Sequence, residues 1–340
     1  MNPLLRSVVS LTLVLGALVT PASALAASAC PGPSSSLGNQ FVQSVAPLVQ
    51  NAASFPLDSV PSADASVVYF TATGLGVFQV PAAGGSAVAV ATGSPFVAPT
   101  GIELSSVNQT IYVADPKAMA ASGIGQIFAV PVAGGAPRAI DGASGSAPRG
   151  LAVAVEGGQD VLYYTGRDPA NGQPGVFRLP AAPNSVPTVV VEGAPLVQPD
   201  GLTVSRSGAI YLTDDAAAGA PCGKVFQISG GVATTVVDAA RLGAPAGIAL
   251  SLDEKLLLVS AERPNAGGSD EVLIVQLASL SQTTATKVIS QNKSNAGGLH
   301  RARGSDVFSW ANVGRQTGVA TAASDASANP QGQVYLVTIR

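Results

Sequence analysis

The stretch that decides the fold is residues 198–231, QPDGLTVSRSGAIYLTDDAAAGAPCGKVFQISGG. It contains a Pro-x-Gly start, an apolar run, a tight Ser/Gly turn, a second apolar run ending in two acids, a loop, and a third apolar run. The runs alternate with period two and are rich in β-branched and aromatic residues, which is typical of antiparallel strands. The stretch therefore predicts three consecutive strands of one sheet.

The rest of the chain repeats this unit at a period of roughly 45 residues, within the range of propeller repeats. The units begin near residues 55, 98, 147, 198, 244 and 296. Five of them continue into a third and a fourth apolar run, and four strands per unit indicate a propeller blade. A blade cannot bury both faces alone, so the units are expected to stack around an axis.

The sixth unit is one strand short. After its second strand, Val307–Asn312, comes a polar insertion, Gln316–Gln331, and then a last strand, Val334–Ile339. Phe41–Val49 is a β-type run at the other end of the chain that belongs to no unit of its own. We predict that it completes the last blade, because closing the ring removes an exposed edge. The predicted fold is all-β, a six-bladed propeller of four-stranded antiparallel blades over residues 41–340.

Composition and the N-terminus restrict the cellular setting. Charged residues make up 11% of the chain, less than half of the usual ~25%, and the net charge of −3 offers no basic patch for nucleic acid. Residues 1–29 resemble a secretory signal, with Arg6, an apolar run at 8–19 that is too short to span a membrane, and small residues at 22–29. Residues 30–40 are predicted to be a flexible linker. The mature protein is expected in the periplasm or outside the cell.

The chain has two cysteines, Cys30 and Cys222. An exported protein with two cysteines usually pairs them, which predicts a Cys30–Cys222 disulfide. The alternative is a lipid anchor, because Cys30 follows Ala-Ser-Ala as in a lipoprotein cleavage box, although Ala27 stands where Leu is usual.

Three unit starts are similar to one another: PDGLTVSRSGAIYLTDD at 199–215, PTGIELSSVNQTIYVADP at 99–116 and PAGIALSLDEKLLLVSAE at 245–262. They resemble the six-bladed propellers of the gluconolactonase, senescence-marker-protein and NHL-repeat superfamily. The resemblance covers roughly residues 55–340 and implies the fold. Propellers host hydrolases, lyases, oxidoreductases and binding proteins, so the fold alone does not imply one function.

The resemblance also implies a metal position. Gluconolactonase-like members hold a divalent ion at the top of the channel, and the corresponding positions here are Leu57, Arg149 and Asp200, with Thr100 near the substrate position. Only Asp200 keeps a metal ligand, and a cation such as Ca²⁺ needs several oxygens. We therefore expect no metal cofactor, with a divalent ion such as Ca²⁺ on other oxygens as the alternative, and we expect Arg149 to pair with Asp200.

The unit starts and the loops after each second strand should converge on one end of the ring, which we call the channel-mouth face. These loops contain many of the scarce charges and polar groups: Asp115, Lys117, Arg167, Asp168, Asp214, Asp215, Glu262, Arg263, Asn312 and Arg315. Loops need polar residues for structural reasons alone, so each is first interpreted as structural and the face as a whole as a candidate binding surface.

His300 is the only histidine, on the inner strand of the last unit. It could be a general base, or a hydrogen-bonded residue between blades, which we favour because no Ser or Cys nucleophile motif accompanies it. The recurring aromatic positions, among them Trp310, are expected in the core between blades.

Two functions follow as hypotheses. The first is an exported propeller that binds a small molecule or a protein on the channel-mouth face. The second is a diverged lactone or ester hydrolase, or a lyase, with Asp200, Arg149 and His300 as its catalytic residues.

Overall fold

The computed structural model describes residues 30, 37–49, 55–107, 109–120, 123–219, 221–262, 270–289, 296–313 and 332–340. Over these residues the chain forms six four-stranded antiparallel sheets arranged as a ring. The prediction of an all-β, six-bladed propeller is confirmed. In the described part of the chain, no helix is long and apolar enough to cross a membrane. The predicted signal at 1–29 and the insertion at 316–331 lie outside the described residues.

Each blade is named by its order along the chain. The outer strand of the last blade comes first in sequence and is β1, Val42–Pro47. Blade one contains β2 Pro56–Pro61, β3 Val67–Ala72, β4 Gly76–Pro81 and β5 Val88–Thr92. Blade two contains β6 Ile102–Leu104, β7 Thr110–Ala120, β8 Gly123–Pro131 and β9 Arg138–Ile140. Blade three contains β10 Leu151–Glu156, β11 Gln159–Arg167, β12 Pro174–Pro180 and β13 Thr188–Glu192.

The remaining three blades follow the same order from the axis outward. Blade four contains β14 Pro199–Val204, β15 Ile210–Asp214, β16 Gly223–Ser229 and β17 Val232–Ala240. Blade five contains β18 Ile248–Leu250, β19 Leu256–Ala261, β20 Glu271–Gln276 and β21 Ser281–Ile289. Blade six contains β22 Ala296–Arg301, β23 Val307–Asn312 and β24 Gln333–Ile339, followed by β1.

The ring is closed by its two termini, as predicted. Strand β1 pairs antiparallel with β24, in a register that places Val45 opposite Val337. Val42 is buried in a cluster with Trp310 and Tyr335, whose rings stack with centroids 5.3 Å apart. The expectation that Trp310 lies in the core is confirmed, because its side chain is fully buried.

Adjacent blades are joined by buried hydroxyl groups on their second strands. Thr71 Oγ1 donates to the Thr100 carbonyl at 2.7 Å, and Thr165 Oγ1 donates to the Asp200 carbonyl at 2.6 Å. Each bond runs from one blade to the start of the next. A buried carbonyl that lost its partner would cost about 1–3 kcal/mol, so these bonds fix the approach of neighbouring blades.

That approach explains the repeated glycine at the unit starts. A Cβ on Gly101 would lie 2.1 Å from the Arg149 carbonyl oxygen, and a Cβ on Gly201 would lie 2.2 Å from the Ala246 carbonyl oxygen. These are distances that no side chain tolerates, so the Pro-x-Gly start is a requirement of inter-blade packing.

The predicted disulfide is present between Cys30 and Cys222, with Cα atoms 5.6 Å apart. Cys222 lies in the loop between β15 and β16. Leu37–Gln40, at the end of the predicted linker, is a short 3₁₀ helix that packs against β21.

Candidate functional site

The central channel is almost filled by its own side chains. The residues around it include Asp58, Arg149, Asp200 and His300, together with the glycines of the inner strands. The cavity among them has a volume of about 10 Å³, which is close to the space that a single water needs. The three residues predicted as catalytic do line one channel, but no substrate fits between them.

Arg149 and Asp200 form the predicted ion pair at the upper end of the channel. Arg149 Nε lies 3.1 Å from Asp200 Oδ1, and Asp200 Oδ2 accepts the Ala246 amide at 2.7 Å. Asp200 is fully buried, whereas about a third of the Arg149 side chain is exposed. The negative charge of Asp200, opposed by burial, raises the pKa of Arg149, so the guanidinium is permanently charged.

Asp215 lies beside this ion pair and is the least satisfied acid of the site. Its Oδ2 accepts a hydrogen bond from Gln198 Nε2 at 3.1 Å, while its Oδ1 is buried without a partner among the described residues. Burial, and the charge of nearby Asp200, raise the pKa of Asp215 to about 6, against the opposing effect of Arg149. Asp215 therefore changes its charge just below neutral pH.

His300 forms a separate cluster with two carboxylates from other blades. Its Nε2 lies 3.1 Å from Asp58 Oδ2 and its Nδ1 lies 3.2 Å from Glu103 Oε2. Asp58 also accepts the backbone amides of Ile102 and Ser59. The cluster joins blades one, two and six, where the ring closes.

The charges of this cluster decide what His300 can do. Burial by itself would lower the pKa of His300, but the Asp58 and Glu103 carboxylates outweigh burial and raise it to about 10. Burial raises the pKa of Asp58, although His300 opposes the shift. Burial would also raise the pKa of Glu103, but the bond to His300 and the charges of His300 and Arg303 lower it. At neutral pH His300 is a cation with both nitrogens bonded, so it has no lone pair to act as a general base.

Asp58 is the residue that sequence reasoning missed. Ser59 of blade one pairs with Phe70, and Leu299 of blade six pairs with Trp310, so Ser59 and Leu299 occupy equivalent positions. The residues that precede them, Asp58 and Gly298, are therefore equivalent as well. The family resemblance points to Leu57, the preceding position, and not to the next column of the units. An acid in a column of glycines is the signal that could have identified it.

Several predicted residues of the channel-mouth face accept hydrogen bonds from the backbone. Asp115 is buried and accepts the amides of Val97, Ala98, Lys117 and Ala118. Asp214 does the same for the amides of residues 197, 198 and 216. Their carboxylates tie the loops of this face to the strands.

The other predicted residues are placed as follows. Asn312 is buried and donates to Asp270 Oδ2 at 3.0 Å. Glu262 Oε2 lies 3.7 Å from Arg241 Nε. Asp168 accepts the Ala170 amide within its own loop. Arg263 and Arg315 lie outside the described residues.

A small pocket opens beside Arg149 on the channel-mouth face. Its volume is about 120 Å³, and the residues that line it are Pro116, Ala147, Arg149, Gly166, Arg167, Pro174, Gln198 and Pro199. Arg149 uses only Nε for Asp200, and within the described chain its two amino groups form no hydrogen bond. The pocket therefore presents the donors of a fixed guanidinium to an incoming acceptor.

The residues at the family's metal position do not fit a divalent ion. Leu57 has no donor atom, and Arg149 places a positive charge beside the one retained acid. Both oxygens of Asp200 already accept hydrogen bonds. Among the residues that the structure describes, no group of three His, Cys, Asp or Glu side chains is arranged to hold a metal.

Comparison of the sequence with family models and with curated proteins gives no match. Solved structures do show similarity of fold. One, described as a nidogen/laminin complex, has a TM-score of 0.53 at 16% identity, covering 73% of this chain and 85% of that chain. A putative TolB from Agrobacterium tumefaciens has a TM-score of 0.53 at 15% identity, covering 72% and 86%.

A structure of streptogramin B lyase has a TM-score of 0.52 at 13% identity, covering 87% of this chain and 98% of that chain. At such identities the similarity shows the propeller fold alone. Membership of the gluconolactonase group stays a prediction.

Proposed function

We propose that this protein is an exported propeller that binds a partner protein on its channel-mouth face, with Arg149 taking a carboxylate of that partner. The observation that supports this most is the state of Arg149. Its Nε is fixed by Asp200 at 3.1 Å, its amino groups form no hydrogen bond among the described residues, and its side chain lines a pocket of about 120 Å³. A guanidinium held in this way is already ordered, so it loses little further conformational entropy on binding, and it favours bidentate contact with a carboxylate.

On the channel-mouth face, the size of the cavities favours a protein over a small molecule. Pockets that enclose a drug-sized ligand measure about 300–1,000 Å³. The channel offers about 10 Å³ and the pocket beside Arg149 about 120 Å³. Such a space admits one side chain, as at the centre of a protein–protein interface, with the surrounding surface as the rim.

The surroundings of Arg149 set the chemistry of the side chain that would enter. Asp200, Asp215 and Asp214 place negative charge near the guanidinium, while exposed Arg167 adds a second cation at the pocket. Pro116, Pro174 and Pro199 supply apolar walls without side-chain donors. A partner Asp or Glu presented on a loop fits these walls and these donors better than a lysine or arginine would.

Two further observations support the setting. The Cys30–Cys222 disulfide is consistent with an oxidising compartment, and periplasmic or extracellular export is part of the proposal. One structure of similar fold is described as part of a complex between two proteins. The enzyme hypothesis receives less support, because His300 is a bonded cation and the channel has no room for a substrate.

The experiment is site-specific photo-crosslinking in the cells that produce the protein. Lys117 follows Pro116 of the pocket and is exposed, whereas Lys255 is exposed in the turn between β18 and β19, at the opposite end of the ring. A photoreactive amino acid at position 117 is expected to trap a distinct protein, and the same group at position 255 is the matched control. Equal capture from both positions, or none from 117, would contradict the proposal.

A second arm tests the rival function directly. The purified protein is assayed on a panel of lactones and esters with and without Ca²⁺, Mn²⁺ or Zn²⁺, beside Asp200→Ala. We expect no turnover. Hydrolysis that the substitution abolishes would replace the binding proposal with the diverged hydrolase.

A further inference from the structure

A large groove lies at the end of the ring opposite the channel-mouth face, and we call it the lower groove. Its volume is about 1140 Å³, just above the range of about 300–1,000 Å³ for sites that enclose a small molecule. It is lined by Arg206 and Tyr211 of blade four, by residues 251–256 and 276–278 of blade five, and by Asp306, Phe41 and Arg340 at blade six. The lower groove is far larger than the 120 Å³ pocket beside Arg149, so it has room for a whole ligand.

The walls of the lower groove are held in place by hydrogen bonds between blades. On one side, the Arg206 amide donates to Glu254 Oε1 at 2.7 Å, and Arg206 Nη2 donates to the Leu252 carbonyl at 2.8 Å. On the other side, the Leu252 amide donates to Asp306 Oδ1. The blade-five turn is thereby bonded to blades four and six. A site that is already formed has less ordering to complete when a ligand binds.

The charges that line the lower groove balance one another. Its three cations and three acids are Arg206, Lys255, Arg340, Asp253, Glu254 and Asp306. Two of the cations are already paired, Arg206 with Glu254 and Lys255 with Asp253. A strongly charged ligand gains little from balanced surroundings, and a wholly apolar ligand would take charged side chains out of water without replacing their hydrogen bonds. The lining therefore favours a ligand that is polar and neutral.

Several polar atoms of the lower groove have unused hydrogen-bonding capacity. Among the described residues, no donor bonds to Glu254 Oε2, Asp306 Oδ2 or Gln276 Oε1. The Tyr211 hydroxyl accepts a hydrogen bond from Gln227 Nε2 at 2.9 Å, which leaves its own proton to be donated. A sugar hydroxyl both donates and accepts hydrogen bonds, so it can bond to either kind of atom.

Apolar side chains lie in the same groove as these polar atoms. Phe41 and Leu277 are half-buried, and Leu252 is exposed. An aromatic ring offers a flat apolar surface, which suits the C–H face of a pyranose ring. We infer that the lower groove binds a neutral oligosaccharide, with its hydroxyl groups on the free polar atoms and its ring faces on the apolar side chains. This ligand does not contact Arg149, so the inference is independent of the partner protein proposed for the channel-mouth face.

The test is calorimetric titration of the full, disulfide-bonded chain with hexasaccharides. The neutral probes are the hexamers of glucose, mannose and N-acetylglucosamine, and the charged comparators are the hexamers of galacturonic acid and glucosamine. We expect at least one neutral hexamer to bind, and the charged hexamers to bind about tenfold more weakly or not at all. No binding by any neutral hexamer, or equally tight binding of a charged one, would overturn the inference.

Variants of the lining locate the bound saccharide. Glu254→Gln and Gln276→Ala each alter an acceptor of the lower groove, and we expect each to weaken binding by about fivefold or more. Gln276 Nε2 bonds only to Ser281 in its own hairpin, so Gln276→Ala leaves the blade-five turn intact. The matched control is Asp64→Asn, an exposed acid in the corresponding turn of blade one that bonds within its own turn, and its affinity should equal that of the wild type. Unchanged affinity in both groove variants, or an equal loss in the control, would overturn the inference.

Discussion

At the scale of single residues, the most unusual position is Asp58. It replaces glycine at the closing side of the ring and places a carboxylate where a Cβ on Gly298 would collide with it at 1.8 Å. Burial of this charge is costly unless it is paired, and His300 and the amides of residues 59 and 102 supply the pairing. The cluster is best explained as a buried polar contact that holds blades one, two and six together.

Substitution of His300 tests how much this cluster contributes to the stability of the fold. His300→Leu leaves two buried carboxylates without their cation, and we expect the free energy of unfolding to fall by about 3–5 kcal/mol. Denaturant titration measures the loss. The double variant Asp58→Gly/His300→Leu removes one stranded acid and should recover part of it. A loss below about 1 kcal/mol for the single variant would show that the cluster contributes little.

The same residue predicts a pH dependence. The folded pKa of His300, about 10, is above the ordinary histidine pKa of 6.5. The stabilisation is therefore complete below pH 6.5 and decreases as the pH rises from 6.5 to about 10, by up to about 1.4 kcal/mol per pH unit. Unfolding titrations across this range should show a steeper decline for the wild type than for His300→Leu. Parallel curves would contradict the assignment.

The sequence predicted the Arg149–Asp200 pair but not the partners of His300. The first prediction needed only two charges at equivalent positions of neighbouring units. The second needed contacts across the ring closure, between residues 242 positions apart for Asp58 and His300. Loop acids such as Asp115 were also ambiguous, because a loop carboxylate can face a ligand or accept backbone amides, and only the geometry distinguishes them.

At the scale of strands, the glycine at the unit start allows neighbouring blades to pack closely. The glycine of one inner strand faces the carbonyl of the next, and a second-strand hydroxyl donates to that carbonyl. Thr213 Oγ1, for example, lies 2.9 Å from the Ala246 oxygen. Strand positions were predictable because period-two alternation reports burial directly. The glycine had no explanation until the neighbouring blade was in place.

Two glycines of blade four distinguish the cost of a close inter-blade contact from the cost of a strained backbone conformation. Gly201→Ala places a Cβ 2.2 Å from the Ala246 oxygen, and we expect a cost above about 3 kcal/mol or failure to fold. Gly208 has φ +83° and open space around it, so Gly208→Ala should cost only about 1–2 kcal/mol. Thermal and denaturant unfolding measure both. Similar costs for the two variants would refute the role given to the inter-blade contact.

At the scale of the whole molecule, the ring leaves little interior space for chemistry, and Arg149 connects the channel with a pocket on the channel-mouth face. The channel is filled by Asp58, Arg149, Asp200 and His300, while the guanidinium of Arg149 also faces the outside. The ring and its closure by the N-terminal strand were predictable from six units and one unassigned strand. The function was not, because the resembling family's metal position is occupied here by Leu57 and Arg149.

The most direct test of the binding proposal is the affinity of the partner trapped at position 117 for two charge variants. Arg149→Gln removes the guanidinium at the pocket, and Arg206→Gln removes an exposed arginine from the turn between β14 and β15, on the opposite face. We expect Arg149→Gln to weaken binding by roughly 10- to 100-fold, because a hydrogen bond to a charged group is worth about 1.5–3 kcal/mol, and Arg206→Gln to leave it unchanged. Undiminished affinity for Arg149→Gln, measured by titration calorimetry, would contradict the account.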